Sequence, residues 1–206
     1  MPFELKNVGA TYQRLVNKMF NKQIGRNMEA YVDDMLVKSK QELAHLNELW
    51  ETFTTLKQYQ MKLNPSKCVF GVASGKFLGF MISQRGIEAN SKKVQAIINM
   101  VSPQTVKEVQ KLIGRIAALN RFVSRATDKY LPFFKTLKQA FAWTDECEAA
   151  FQDSKCYLSN PPLLSPSKEG ENFYLYLAVS TTAVSAALIR EEAKKQLPVY
   201  YVSQAF

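Results

Sequence analysis

The segment Met28-Glu-Ala-Tyr-Val-Asp-Asp-Met-Leu-Val37 places two adjacent aspartates between two short apolar stretches. Aspartate lowers strand propensity and favours turns, so the pattern predicts a β-hairpin with Asp33 and Asp34 at or near its bend. At a bend, neighbouring side chains can approach one ion, whereas in the middle of a strand they point to opposite faces. Two interpretations follow: the carboxylates satisfy backbone groups of an ordinary turn, or they hold divalent cations for phosphoryl or nucleotidyl transfer.

Helical patterns flank this hairpin on both sides. Before it, apolar residues recur at helical spacing between Tyr12 and Phe20, and Gly25 is the predicted stop. After it, a second helix is predicted, and its apolar face carries Leu43, Leu46, Trp50, Phe53 and Leu56. Asn64-Pro65 interrupts the helical pattern. A hairpin is then predicted from residues 68–72 and 76–83, with its bend at residues 74–75.

The next segment is predicted to be helical. Ser91 is the predicted cap of a short helix, and Thr105 and Glu108 have the spacing of a capping box that opens a helix through about Val123. On that helix the basic residues Lys107, Lys111 and Arg115 form one i, i+4 row.

The last third combines one helix with three strands. Thr144 is the predicted cap of a helix to about Leu158, and the predicted strands are 173–179, 184–190 and 197–202. Helical blocks followed by strand-rich blocks favour an α+β fold.

The charge of the chain is uneven along its length. The 206 residues include 27 Lys and Arg against 18 Asp and Glu, a net charge of +9. Residues 1–130 carry 20 basic against 10 acidic side chains, whereas residues 131–206 carry 7 against 8. This surplus favours an anionic partner, nucleic acid first and a membrane surface second. The alternative is an ordinary solvated lysine-rich face.

Other features of the composition exclude several classes of protein. His45 is the single histidine, which excludes a multi-histidine metal site, and the three cysteines form no C-x-x-C pair, which disfavours a zinc knuckle or a disulfide framework. The longest apolar run, residues 173–179, is too short for a membrane span. Glu4 and Lys6 stand where a signal peptide needs an apolar core. We therefore expect an intracellular protein, cytoplasmic or nuclear, and not a secreted or membrane protein.

Four residues of the hairpin, Tyr31-Val32-Asp33-Asp34, resemble the Y-x-D-D box of reverse transcriptases. Residues 1–14 resemble the palm segment before that box, and residues 63–68 and 77–83 resemble the segments after it. Residues 141–151 and 158–164 resemble the entry to the RNase H-like domain of gypsy-type LTR retrotransposon Pol polyproteins, particularly plant ones. The resemblance covers essentially the whole chain in the expected order. It implies three domains: the C-terminal part of a palm (1–88), a helical thumb or connection (89–140), and the N-terminal part of an RNase H-like domain (141–206).

The resemblance also implies roles for individual residues. Asp33 and Asp34 match the catalytic carboxylates that bind Mg²⁺ or Mn²⁺ in the parent enzyme. The implied nucleotide pocket consists of Phe3, Glu4, Lys6, Tyr31 and Lys67. The implied primer grip consists of Leu78, Gly79, Phe80 and Met81. The implied nucleic-acid-binding row consists of Lys107, Lys111 and Arg115, for which a solvated helix face is the alternative. The implied partners are an RNA/DNA template–primer and the rest of a Pol polyprotein.

Three departures from the family pattern predict that the chain is inactive alone. The palm strand that carries another catalytic aspartate is absent from the sequence, so we expect weak metal binding. Glu4 stands where the family has glycine, and Ala178 stands where an active RNase H-like domain has its first aspartate. We therefore expect a fragment of an RNA-directed DNA polymerase with a degenerate RNase H-like domain. Two alternatives stay open, a nucleic-acid-binding module without chemistry and a non-functional translated remnant.

Overall fold

The computed structural model describes residues 6–138 and 141–206, which form two compact units. The first unit ends at Gly79 and the second begins at Phe80. The elements of the first unit are α1 (Val8–Met19), β1 (Met28–Tyr31), β2 (Asp34–Val37), α2 (Glu42–Gln58), a 3-10 turn (Pro65–Lys67) and β3 (Ser74–Phe77). The elements of the second unit are β4 (Phe80–Ser83), β5 (Gly86–Glu88), α3 (Ser91–Ile98), α4 (Val106–Ala117), a 3-10 turn (Asn120–Phe122), α5 (Ala126–Lys138), α6 (Asp145–Ser159), β6 (Phe173–Val179), β7 (Ala183–Glu192) and β8 (Lys195–Ala205). This mixture confirms the predicted α+β class.

The aspartate-containing hairpin is the centre of the first unit. β1 and β2 pair antiparallel from Met28 opposite Val37 to Tyr31 opposite Asp34, which confirms the predicted hairpin. Beneath it lies a small core of apolar side chains from α1, β1 and α2, formed by Val16, Met19, Phe20, Met28 and Leu56. The helix α1 ends at Met19, well before the predicted stop at Gly25, because the chain turns inward at the fully buried Phe20.

The helix α2 forms where the sequence predicts it, but most of its apolar face is exposed. Leu43, Leu46 and Trp50 are exposed to 90%, 74% and 76%, respectively. Its buried residues are Thr52 and Leu56, and the Thr52 hydroxyl accepts a hydrogen bond of 3.2 Å from the buried Gln23 side chain. Helical periodicity identifies an amphipathic helix, but it does not determine how much of the apolar face packs within the unit.

The predicted strand at residues 68–72 is wrong. This segment is irregular, and Gly71 adopts a φ of 63° in the left-handed region, which interrupts an extended chain. The strand β3 begins at Ser74 instead. The chain then turns at Leu78 and Gly79, with φ values of 51° and 78°, rather than at residues 74–75.

Side-chain caps begin the helices α3, α4 and α6. Asn90, rather than the predicted Ser91, caps α3 by accepting a hydrogen bond from the Lys92 backbone N–H. At α4 the Thr105 hydroxyl accepts from the Glu108 N–H, which confirms the predicted cap. The Glu108 carboxylate accepts from the N–H of Gln104, one residue before the cap, so the reciprocal bond of a capping box is displaced by one residue. The Thr144 cap of α6 is confirmed by a hydrogen bond from the Cys147 backbone N–H.

Two boundaries in the middle of the second unit differ from the prediction. α4 ends at Ala117 and a 3-10 turn follows, because Leu119 and Phe122 turn into the core instead of continuing the helix to Val123. The helix α5 was not predicted, since Pro132 lies inside it and proline usually breaks a helix interior. In the protein Pro132 is buried beside Phe133, so tertiary packing outweighs the lost backbone hydrogen bond.

The three C-terminal strands form an antiparallel sheet in the order β6-β7-β8. All three were predicted, and β7 and β8 extend beyond their predicted ends. The register places Ala178 opposite Ser185, and Ser185 opposite Ser203. The Ser203 hydroxyl accepts a hydrogen bond from the Thr127 N–H, which ties the start of α5 to the sheet. No helix of the described residues is long and apolar enough to cross a membrane.

Close backbone contact joins β5 to the segment that follows α6. Ile87 and Leu164 exchange two backbone hydrogen bonds, of 2.9 and 3.0 Å. Immediately before them, Gly86 has a φ of 139°, and a Cβ atom at this position would lie 2.1 Å from the Leu164 carbonyl oxygen. Only glycine therefore fits here, because both the backbone conformation and the space exclude a side chain.

We expect Gly86→Ala to lower the free energy of unfolding of the second unit by about 2–4 kcal/mol, through strain and the loss of this contact. Urea unfolding followed by Trp143 fluorescence in a Trp50→Phe background measures the second unit. The matched control is Gly114→Ala, in the exposed middle of α4, where a Cβ meets nothing within 4 Å. That control should raise stability by about 1 kcal/mol. Equal stabilities for Gly86→Ala and the wild type would contradict this account of the contact.

Candidate functional site

The tip of the β1–β2 hairpin is a two-residue turn in a strained conformation. Val32 and Asp33 connect Tyr31 to Asp34, the last residue pair of the hairpin. Val32 has a φ of 48°, a left-handed conformation that β-branched residues rarely adopt. Such strain costs on the order of 1–3 kcal/mol and persists only when surrounding contacts enforce it.

Gln13 of α1 supplies those contacts. Its side-chain oxygen accepts a hydrogen bond of 2.6 Å from the Val32 backbone N–H, and its amide nitrogen donates one of 3.1 Å to the Ala30 carbonyl. One side chain therefore fixes the strand end and the turn together. Sequence patterns do not single out Gln13, because a glutamine beside the apolar face of a helix carries no signal of a distant backbone partner.

Both aspartates of the turn are exposed to solvent. Asp34 accepts a hydrogen bond of 3.2 Å from the Leu78 backbone N–H through one carboxylate oxygen, which leaves its other oxygen accessible. Asp33 lies near the Tyr12 hydroxyl. Burial raises the pKa of Tyr12 above its ordinary value, and the negative charge of Asp33 raises that pKa further. The tyrosine therefore stays neutral beside the carboxylate at physiological pH.

This pair of carboxylates fits the oxygen-rich coordination that Mg²⁺ prefers. Mg²⁺ is commonly held by one or two carboxylates, with water and phosphate oxygens in its other positions. The described part of the chain contains no group of three or more His, Cys, Asp or Glu that could hold a metal ion. Asp33 and Asp34 can therefore supply part of a metal site.

The residues of the implied nucleotide pocket lie in separate segments of the first unit. Tyr31 is 57% exposed at the base of the turn. Lys6 and Lys67 are also exposed, and Lys67 ends the 3-10 turn that Asn64 caps. Phe3 and Glu4 lie outside the described residues.

The implied primer grip falls on a turn and the strand after it. Leu78 and Gly79 form the turn, and the Leu78 N–H contacts Asp34 directly, so the structure brings this segment to the aspartate pair. Phe80 and Met81 begin β4 and are half-buried.

The three basic residues of the row on α4 differ in their exposure and contacts. Lys107 and Lys111 are exposed. Arg115 is half-buried, and its guanidinium donates a hydrogen bond of 2.5 Å to the Ala96 carbonyl near the end of α3. Arg115 therefore positions α3 against α4, a role that the sequence pattern did not indicate.

The C-terminal sheet carries no acid at the position singled out in the sequence. Ala178 is exposed on β6 and lies opposite Ser185 of β7. A methyl group offers no oxygen to a metal ion, so this position cannot serve as a ligand.

We expect Gln13→Ala to loosen the hairpin tip, because it removes both hydrogen bonds and so costs about 1–2 kcal/mol. Exchange of the hairpin amide protons, measured by NMR, should accelerate roughly five- to thirtyfold. Arg14→Ala, at the exposed neighbouring position of α1, should leave these rates within about twofold, since surface substitutions rarely exceed 0.5 kcal/mol. Equal acceleration in both variants would show that Gln13 does not support the turn.

Two family models match the chain. Residues 1–82 match a model described as reverse transcriptase (RNA-dependent DNA polymerase). Residues 143–206 match a model described as an RNase H-like domain found in reverse transcriptase.

Solved structures with this arrangement of elements include the foamy viral protease-reverse transcriptase. The match to its complex with dsDNA covers 100% of this chain and 43% of that protein, with a TM-score of 0.83 and 23% identity. Its complex with an RNA/DNA hybrid gives the same TM-score of 0.83, over 28% of that chain. These likenesses show the fold.

Curated relatives match along nearly the whole chain. It is 31% identical over 208 residues to the Retrovirus-related Pol polyprotein from transposon 412 of Drosophila melanogaster, and 26% identical over 206 residues to the Transposon Tf2-3 polyprotein of Schizosaccharomyces pombe. The matches cover 100% and 98% of this chain but only 17% and 16% of those relatives. The chain therefore combines a reverse transcriptase segment with an RNase H-like segment, the two domains that retrotransposon Pol polyproteins carry in this order.

Proposed function

We propose that this chain provides part of the metal site and part of the template–primer surface of an RNA-directed DNA polymerase, and that it does not synthesise DNA alone. The observation that carries the proposal is the hairpin tip, where Gln13 enforces a strained turn that presents Asp33 and Asp34 to solvent. Strained backbone supported by a dedicated side chain is typical of functional sites. An ordinary surface turn needs no such support.

In the parent reaction the primer 3′ oxygen forms a bond to the α-phosphorus of a nucleotide, and pyrophosphate leaves. Asp33 and Asp34 would hold Mg²⁺, which, when bound, offsets the negative charge of the reacting phosphates. The Leu78 N–H orients one of the two carboxylates, and neutral Tyr12 lies beside the other without adding charge. Tyr31 is exposed at the base of the turn and would contact the primer end.

Two features support inactivity of the isolated chain. The described residues supply two adjacent carboxylates and no third ligand, so a bound cation would be held loosely. Ala178 removes an oxygen ligand from the C-terminal sheet, so we propose that the RNase H-like region is structural rather than catalytic. Neither active site would then be complete within the described residues.

The metal proposal can be tested with Mn²⁺, whose unpaired electrons broaden nearby NMR signals. We expect Mn²⁺ at millimolar concentration to broaden the amide signals of residues 31–35 in the wild type. The effect should disappear in the double variant Asp33→Asn/Asp34→Asn and persist in Glu42→Gln, an exposed acid at the start of α2. Broadening that survives the double variant would contradict the site. Metal-dependent extension of a primed RNA template by the chain alone would contradict its inactivity.

A second candidate function is nucleic-acid binding without chemistry, favoured by the exposed Lys107 and Lys111 on α4. The logarithm of the affinity for an RNA/DNA hybrid should fall linearly with the logarithm of the salt concentration. We expect Lys107→Gln/Lys111→Gln to reduce the magnitude of that slope by about 2, because each lysine neutralises roughly one phosphate. The matched control, Lys194→Gln/Lys195→Gln at the exposed β7–β8 turn, should leave the slope unchanged. A flat salt response of the wild type would exclude this binding mode.

A further inference from the structure

An open cavity of about 260 Å³ lies on the second unit, and none of its lining residues belongs to the aspartate hairpin. It forms where the end of α4 and the following 3-10 turn meet β8 and the first residue of β4. Its polar and aromatic side chains come from Phe80, Asn120, Arg121, Tyr200 and Tyr201. Of these residues only Phe80 belongs to the implied primer grip, and the other four have no proposed role in polymerisation.

The guanidinium of Arg121 lies over two aromatic rings. Its central carbon lies 4.5 Å from the centroid of Phe80 and 5.5 Å from that of Tyr200. Within the described residues no carboxylate lies in ion-pair range of Arg121 and no acceptor takes its hydrogen bonds. The cation–π contacts with these rings use none of the guanidinium N–H donors, and a guanidinium with free donors can bind phosphate through two parallel hydrogen bonds.

A second cation strengthens the positive field at this cavity. The Lys93 ammonium of α3 lies 5.7 Å from the centroid of the Phe80 ring, the same ring that Arg121 contacts. The closest acidic residue in sequence to Arg121 is Asp128, which pairs with Arg125 instead. An anionic group that enters the cavity therefore meets positive charge without a competing carboxylate.

The cavity also offers a stacking surface and a free amide. Tyr200 remains 44% exposed, so a planar ring from solvent can stack on it. The side-chain amide of Asn120 makes no hydrogen bond to the described residues, which leaves a donor and an acceptor for the edge of a bound ring. A stacking ring, an edge-reading amide and a phosphate-binding guanidinium are the parts of a nucleotide site.

We propose that this cavity binds one unpaired nucleotide of a single-stranded nucleic acid, with its base on Tyr200 and its phosphate at Arg121. The inference rests on the proposed function because the ligand is again a nucleic acid. It concerns a different site, and the ligand there is a single strand instead of a template–primer duplex. A duplex cannot supply a base that is free to stack on Tyr200, because its bases are already stacked and paired. The small volume favours a single nucleotide over an extended peptide, which needs a longer groove.

Fluorescence anisotropy with labelled oligothymidylate of about ten nucleotides tests the site. We expect Tyr200→Ala to weaken binding at least fivefold, because base–aromatic stacking is lost, and Tyr200→Phe to keep it within twofold. Arg121→Gln should weaken binding and reduce the magnitude of the salt slope by about 1. Tyr174→Ala, which removes a tyrosine of similar exposure (46%) on β6, is the matched control and should bind like the wild type. Thermal unfolding of each variant verifies that it is folded.

The site is identified independently by photo-crosslinking. An oligonucleotide that contains 5-iodouracil should crosslink to the peptide of residues 196–206, which holds Tyr200 and Tyr201. Crosslinks confined to other peptides, or a Tyr200→Ala variant with wild-type affinity for the single strand, would overturn this site. An RNA/DNA hybrid arm separates the two proposals, because Tyr200→Ala should leave hybrid affinity unchanged. If the wild type binds the hybrid but not the single strand, only the inference fails; if it binds neither, both fail.

Discussion

Two hydrogen bonds from the Gln13 side chain determine the geometry of the hairpin tip, and through it the placement of both aspartates. Val32 adopts a backbone conformation that costs free energy, and Gln13 stabilises it from a neighbouring helix. The helix is itself fixed because Val16 and Met19 are buried against β1 and α2. The small apolar core therefore fixes α1, α1 positions Gln13, and Gln13 stabilises the strained turn that carries the two exposed carboxylates.

The second unit depends on a different constraint, the close approach of backbones at Gly86 and Leu164. That contact fixes the segment between α6 and β6 beside β5, in the unit that also contains the sheet with Ala178. The resemblance implies an aspartate at the position of Ala178, so we propose that this segment has lost a metal ligand and kept the fold around it. Retention of the sheet without its acid favours a structural role, and the cavity at Arg121 gives the same unit a proposed binding role.

Local patterns predicted the features whose causes are local. The two aspartates between apolar stretches indicated the hairpin, and the Thr105 and Glu108 spacing indicated the Thr105 cap of α4. Features that depend on distant contacts were missed: the helix around Pro132 is stabilised by tertiary packing, and the role of Gln13 depends on the turn that it contacts. Helical periodicity located α2 but did not show that most of its apolar face is exposed. A periodic pattern identifies an apolar face of a helix, but it does not identify what packs against that face. The family resemblance supplied the roles of Asp33 and Asp34, which a turn alone left open.

The central claim is that Asp33 and Asp34 bind a divalent cation at the supported turn, and the ionisation of Tyr12 reports on it. Burial raises the pKa of the Tyr12 hydroxyl and the charge of Asp33 raises it further, so a cation bound at Asp33 should lower that pKa. NMR titration of ¹³C-labelled tyrosine, with Ca²⁺ as an oxygen-seeking cation that stays dissolved at high pH, measures this shift. The account predicts a lower Tyr12 pKa with Ca²⁺ in the wild type and no effect of Ca²⁺ in Asp33→Asn/Asp34→Asn. A Tyr12 pKa that saturating Ca²⁺ leaves unchanged in the wild type would contradict it.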